Sequence, residues 1–188
     1  MAGDAFELWE RTEQDAAPAQ QPPPFWAFPW AGGQALARYL LDEPGSVRGR
    51  AVLDLAAGSG LVALAAAKAG AAAVTASETD PLAVAAIALN CAVNGVRLRA
   101  TVGDVLDNGA PGADVVLAGD AFYERAMAER LLPCLERARG SGALVLVGDP
   151  GRAHLPRDRF EQVAIYQVPV SRALEDADVK RTTIWRLP

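Results

Sequence analysis

The sequence predicts an α/β domain: a seven-stranded, doubly wound sheet, parallel at least through its fifth strand, with helices between the first five strands. Three observations lead there. From Arg50 onward, short apolar runs alternate with helical patterns at the spacing of βαβ units. The first run ends in a glycine-bearing turn, Gly58-Ser59-Gly60, that opens directly into a helix. The 188 residues, 51% hydrophobic and 22% charged, suffice for one core without disulfides or metal.

Residues 1–24 read as an N-terminal extension, with a short helical pattern around Phe6, Leu8 and Trp9. The proline run Pro22-Pro23-Pro24 follows as an extended strap. The main domain, 25–188, begins with the aromatic stretch Phe25-Trp26-Ala27-Phe28-Pro29-Trp30. It leads into an amphipathic helix through Leu36, Tyr39, Leu40 and Leu41, closed by Pro44-Gly45. Strands over 51–55 and 73–77 flank an apolar helix over 61–69. Pro81, suited to a first helical turn, starts a helix reaching Val93. Strands over 97–102 and 113–118 precede a helix over 124–139, which Pro133 should kink. Runs over 143–147, 160–168 and 182–186 supply the last three strands, and there is no repeat or second domain.

The net charge of −5 argues against a nucleic-acid or anionic-membrane partner. No apolar run is long enough to span a bilayer, because Lys68, Glu78 and Asp80 interrupt the alanine-rich stretches. The acidic start lacks the apolar centre of a secretory signal, so the cytoplasm is the expected compartment. Cys91 and Cys134 fall in separate helices and read as buried free thiols, in keeping with a reducing compartment. A single histidine, His154, excludes a histidine-based triad or a histidine-rich metal site, and no metal is expected. His154 and Tyr166 are read as structural.

The chemistry concentrates in Asp54-Leu55-Ala56-Ala57-Gly58-Ser59-Gly60. Glycine lets the backbone approach a ligand closely, and the following helix N-terminus favours an anionic group. Gly58-x-Gly60-x-x-Ala63 also satisfies the loose dinucleotide pattern, so a nicotinamide or flavin site competes. Glu78, 20 residues after Gly58, could hold a ribose diol in either reading. Asp54, four positions before the first turn glycine, could bind a ligand's ammonium directly or through water, and suits a cationic amino-acid moiety better than a pyrophosphate. Asp104, in Gly103-Asp104-Val105 after the third strand, can accept from an adenine amino group. Asp54, Gly58, Gly60, Glu78 and Asp104, in order at strand ends, favour S-adenosyl-L-methionine as cofactor, with S-adenosyl-L-homocysteine as product.

From Pro24 onward the chain resembles the Rossmann-like, seven-strand (class I) protein lysine methyltransferases related to electron transfer flavoprotein β-subunit lysine methyltransferase. The resemblance rests on the stretch 24–36, on Gly119-Asp120-Ala121-Phe122-Tyr123 and on Gly148-Asp149-Pro150-Gly151-Arg152. It implies that the last strand runs antiparallel. It also implies that Asp120 and Tyr123, the family's D-x-x-Y motif, stand beside the transferred methyl group. Trp30 matches a tryptophan near the cofactor, and Asp149 and Arg152 lie in a loop expected to face substrate. Phe25, Trp26 and Phe122 are assigned to an aromatic channel for a lysine side chain, where Asp120 would orient the amine. Two departures stand out: Ala56 occupies a position where the family often has glycine, and the leader before Trp9 is short.

The implied acceptor is a lysine of a protein such as electron transfer flavoprotein β-subunit, methylated by a monomer. A ribosomal protein or a small, nicotinamide-like amine remains an alternative acceptor. A non-catalytic cofactor-binding module is the alternative from another class. An open acidic rim would favour a protein lysine, and a capped small pocket a metabolite.

Overall fold

The computed structural model describes residues 24–107 and 112–188; the expected helix around Phe6 and the strap before Pro24 lie outside the described residues. The strands are β1 (Ala51–Leu55), β2 (Ala73–Glu78), β3 (Arg99–Val102), β4 (Val115–Gly119), β5 (Leu144–Asp149), β6 (Glu161–Pro169) and β7 (Val179–Arg186). They form one sheet in the order β3-β2-β1-β4-β5-β7-β6. Pairing is parallel from β3 through β5, and β7 runs antiparallel to both β5 and β6. The expected antiparallel last strand is therefore present.

Helices α1 (Ala31–Asp42), α2 (Leu61–Lys68), α3 (Pro81–Asn94), α4 (Arg125–Gly140) and the one-turn α5 (Arg172–Glu175) complete the described residues, with three short 3₁₀ turns. Pro81 occupies the first turn of α3, and the Asp80 carboxylate caps that helix by accepting from Leu82 N–H at 2.7 Å. Gly95, at φ 63°, ends it. Helix α4 continues through Pro133, because Leu131, Cys134, Leu135 and Ala138 bury one face of it. Two features differ from the sequence reading. Helix α5 interrupts the polar stretch before the last strand, and β7 starts at Val179 because its pairing with β6 extends to Pro169. Tyr166, read as structural, donates from its hydroxyl to Asp42 across 3.0 Å.

Period-two alternation divides the core between the two sheet faces. Val115 and Leu117 of β4 meet Leu36 and Leu40 of α1, Val62 and Ala66 of α2 and Ile87 of α3. Val116 and Ala118 face the other way, toward Leu131 and Leu135 of α4. The strand order reverses between β1 and β4, which opens a crevice at their carboxyl ends.

Helix α1 crosses the ends of β4 and β5 almost at backbone contact. A Cβ on Gly119 would lie 2.8 Å from Gly33 Cα. One on Gly32 would overlap the Gly148 carbonyl oxygen, and one on Gly148 would overlap the Gly32 carbonyl oxygen. Backbone lies on both sides, so neither partner can yield. Gly148→Ala should therefore lower the unfolding free energy by about 3 kcal/mol or more. Gly45→Ala, where a Cβ meets nothing within 4 Å, should change it by less than about 0.5 kcal/mol. Urea unfolding of both variants tests this, and equal midpoints would refute the close crossing.

Candidate active site

A cavity of about 750 Å³ opens at the carboxyl ends of β1, β2 and β4, within the range of small-molecule sites. Its floor is the turn from β1 to α2, in which Ala56, Gly58 and Gly60 have φ of 49°, 54° and 81°. Gly58 N–H donates to Glu78 Oε1 at 2.7 Å and Thr79 N–H to Oε2 at 2.9 Å. These bonds latch the turn to β2 and fix the Glu78 carboxylate at the cavity wall. Gly60 lies outside the lining; it caps α2, and a Cβ there would press on Ile87 at 3.0 Å.

Asp54 corrects the sequence reading. It is 1% exposed and lies outside the cavity lining, where its Oδ2 accepts from Ala63 N–H at 2.9 Å. Its carboxyl braces the first turn of α2 from behind, so direct contact with a ligand's ammonium gives way to the water-mediated form of that expectation. Burial, opposed by the Ala63 bond and aided by the Glu78 charge, pushes it up to about 8.

Beyond Glu78 the cavity reaches Asp104. Leu106 N–H donates to its Oδ1 at 3.0 Å, and Arg130 of α4 pairs with its Oδ2 at 2.7 Å. The Arg130 hydrogen bond, more than any other cause, holds Asp104 below the usual carboxylate range. Its carboxylate is thereby fixed at the end of the cavity where an adenine edge was expected.

At the other end stands Asp120, 6% exposed and in the left-handed region at φ 59°. Gly32 N–H, at the start of α1, donates to its Oδ2, and Arg152 Nε donates to its Oδ1 at 2.6 Å. Burial pushes Asp120 upward, against the pull of Arg152 and Gly32. The Arg152 guanidinium also lies 5.7 Å from the Trp30 ring centroid. Trp30 donates from Nε1 to the Phe25 carbonyl at 2.8 Å, and Phe25 packs 5.6 Å from the half-exposed Tyr123 ring. Phe25, Trp26, Trp30 and Tyr123 line this mouth together.

Two further expectations are corrected. Phe122 is fully buried, edge-on to Phe160 at 6.1 Å in the second core, and is neither catalytic nor a channel wall. The residue after a D-x pair at a strand end turns inward here, leaving Tyr123 to face the cavity. Asp149, 1% exposed, accepts on Oδ1 from Gly151 N–H at 2.6 Å and Arg152 N–H at 2.8 Å. It shapes the loop that carries Arg152 rather than meeting a substrate itself. Sequence reasoning passed over Arg130 and Glu175, and it placed Gly32 in the telling stretch 24–36 without assigning it a bond to Asp120. Arg130 sits in an ordinary helical pattern and Glu175 in a polar stretch beside Asp176 and Asp178, so nothing local marks either.

The chain is 38% identical over 183 residues to the electron transfer flavoprotein beta subunit lysine methyltransferase of Mus musculus, covering 94% of this chain and 70% of that protein. The enzyme of the same name from Danio rerio is 40% identical over 171 residues, covering 88% and 66%. The chain belongs to the electron transfer flavoprotein β-subunit lysine methyltransferase family. It spans about two thirds of these relatives' length. The ribosomal protein L11 methyltransferase (PrmA) family profile matches residues 35–119. The structure of ribosomal protein L11 methylase from Lactobacillus delbrueckii subsp. bulgaricus superposes with a TM-score of 0.61 at 20% identity, covering 86% of this chain and 81% of that one. That likeness shows the Rossmann-like methyltransferase fold.

Members of this family use S-adenosylmethionine, and the residues present fit it. Glu78 and Asp104 line the cavity where the sequence reading expects a ribose and an adenine, and left-handed backbone at Ala56 and Gly58 forms the floor between them and the aromatic mouth. The lining carries five carboxylates (Glu78, Asp80, Asp104, Asp120, Glu124) against two guanidinium groups, Arg130 and Arg152. That balance favours a cationic ligand over a pyrophosphate. Among the described residues, no helix is long and apolar enough to cross a membrane, and no acidic, cysteine or histidine cluster could hold a metal ion.

Two stability predictions follow from the floor. The folded Asp54 binds its proton more tightly than the unfolded chain, whose carboxyl titrates near 3.8. Its contribution is thus full below about pH 4 and is lost as pH rises toward about 8. Between those limits, wild-type stability should fall relative to Asp54→Asn by an amount on the order of a few kcal/mol. Urea titrations of both proteins at several pH values check it, and parallel curves would refute it. Ala56→Gly removes the left-handed strain of a Cβ at φ 49° and should raise stability by up to about 1 kcal/mol. Thermal melts read this as a Tm gain of a few degrees.

Proposed function

We propose that this chain methylates a lysine side chain of a partner protein, the electron transfer flavoprotein β-subunit of its own organism, acting as a monomer. The observation that carries the reading is the acidic cavity with an open aromatic mouth, where Phe25 is 41% and Tyr123 48% exposed. A long cationic side chain can enter such a mouth from a protein surface, whereas a small amine is better held in an enclosed pocket. The PrmA match ends at Gly119, before Asp120 and Tyr123. It covers the cofactor half of the domain and leaves the acceptor end to the closer relatives. The thiols of Cys91 and Cys134 are free, which supports a reducing compartment such as the cytoplasm.

When bound, S-adenosylmethionine supplies an electrophilic methyl group on a cationic sulfur, so no metal is required. Glu78 and Asp104 would hold its sugar and base, and Trp30 would flank the reacting end. A lysine amine, with an ordinary pKa of about 10.4, must lose a proton before it can attack. The aromatic walls of Phe25, Trp26 and Tyr123 withhold water from the ammonium and favour its neutral form. Asp120 accepts from the amine on a lone pair left open by Gly32 and Arg152, aligning the nitrogen while water carries off the proton.

Incubation with radiolabelled cofactor and purified electron transfer flavoprotein should label the β-subunit, at lysine after digestion and mass spectrometry. Labelling confined to small metabolites would overturn the acceptor class. Asp120→Asn should lower turnover by about 100-fold or more while the cofactor Kd, by calorimetry, stays within a few-fold. Retained turnover would remove Asp120 from the reaction.

A further inference from the structure

Arg152 does not chelate Asp120. Its Nε donates to Asp120 Oδ1 at 2.6 Å, while Nη2, on the same edge of the guanidinium, donates to Glu175 Oε1 at 2.9 Å. That edge is the fork which ordinarily binds both oxygens of one carboxylate. Here two carboxylates share it. Asp120 and Glu175 side chains are 5% and 3% exposed, so water competes with neither. Glu175 is itself held from behind: its Oε2 lies 3.5 Å from Lys180 Nζ at the start of β7. The position of Arg152 is fixed further by the Trp30 ring and by its own N–H on Asp149.

The geometry points to Glu175 as a positioning residue for methyl transfer, one that holds Arg152 to a single bond with Asp120 and so keeps the Asp120 carboxylate open toward the acceptor amine. An ionised carboxylate offers about four acceptor sites. Gly32 and Arg152 use one on each oxygen of Asp120. Without Glu175, the guanidinium can turn its whole fork onto Asp120, filling a further site on Oδ2 and drawing the carboxylate toward the loop. The β6–β7 connection, far from the cofactor turn in sequence, thereby acts on the reacting end of the site through Arg152. This inference rests on the proposed placement of the acceptor amine beside Asp120.

Glu175→Met fills similar volume but offers no acceptor, and Glu175→Gln keeps an oxygen for Nη2. With the labelled β-subunit assay, Glu175→Met should lose about tenfold in kcat, with the cofactor Kd within twofold. Glu175→Gln should stay within about threefold of wild type. In the Glu175→Met background, Arg152→Lys should restore kcat to or above that of Glu175→Met alone, because an ammonium cannot fork. A crystal structure of Glu175→Met should show Nε and Nη2 both on Asp120. An unmoved guanidinium, an unchanged kcat, or a double variant whose losses multiply would overturn the proposal. Should wild type methylate no protein lysine, the functional reading fails on that measurement, and the crystal structure still decides the role of Glu175.

Discussion

Helix α1 enters the fold across the carboxyl ends of β4 and β5, where a Cβ on Gly32, Gly119 or Gly148 would run into the facing backbone. This contact places the Gly32 N–H against Asp120, whose own N–H is bonded to the Gly148 carbonyl at 2.8 Å. One close crossing therefore sets the height of the helix, the turn after β4 and the direction of the acceptor-end carboxylate. The aromatic stretch at 25–30 immediately precedes α1, so the same contact also fixes the cavity mouth.

Around that frame the charges are arranged by degree of burial. At the exposed end, Asp104 is held low by Arg130, and salt can screen the pair. At the buried end, Asp120 is pushed upward by desolvation and held back by Arg152, which is shared with Glu175. Burying such ions seldom adds net stability, since desolvation offsets most of the attraction. What the arrangement supplies is orientation: each Asp120 oxygen has one fixed donor, and its remaining lone pair has a defined direction. Methyl transfer to an amine demands alignment more than proton transfer, so the site's chemistry and its ionic architecture agree.

Much of the domain was legible in the chain itself. The seven strands, the main helices and the glycine turn follow from periodicity and turn residues, which depend on near neighbours. Gly58, Glu78, Asp104, Asp120, Tyr123 and three rings of the aromatic stretch, Phe25, Trp26 and Trp30, do gather around one cavity, because strand ends in an open α/β sheet converge on the crevice where the order reverses. Phe122 and Asp149 were misplaced for a shared reason. They adjoin site residues in sequence, yet a change in backbone direction at a strand end sends neighbouring side chains to opposite sides of the wall.

The sequence by itself determined the order of elements, the location of the crevice and the set of acids available to line it. Only the tertiary structure decided that Asp54 braces α2 from behind, that Ala56 is held at a positive φ, and that Arg152 divides one edge between Asp120 and Glu175. Local pattern records how a segment will fold against solvent and core. Which buried charges meet depends on helix and strand ends brought together by packing, and residues separated by dozens of positions leave no shared trace along the chain.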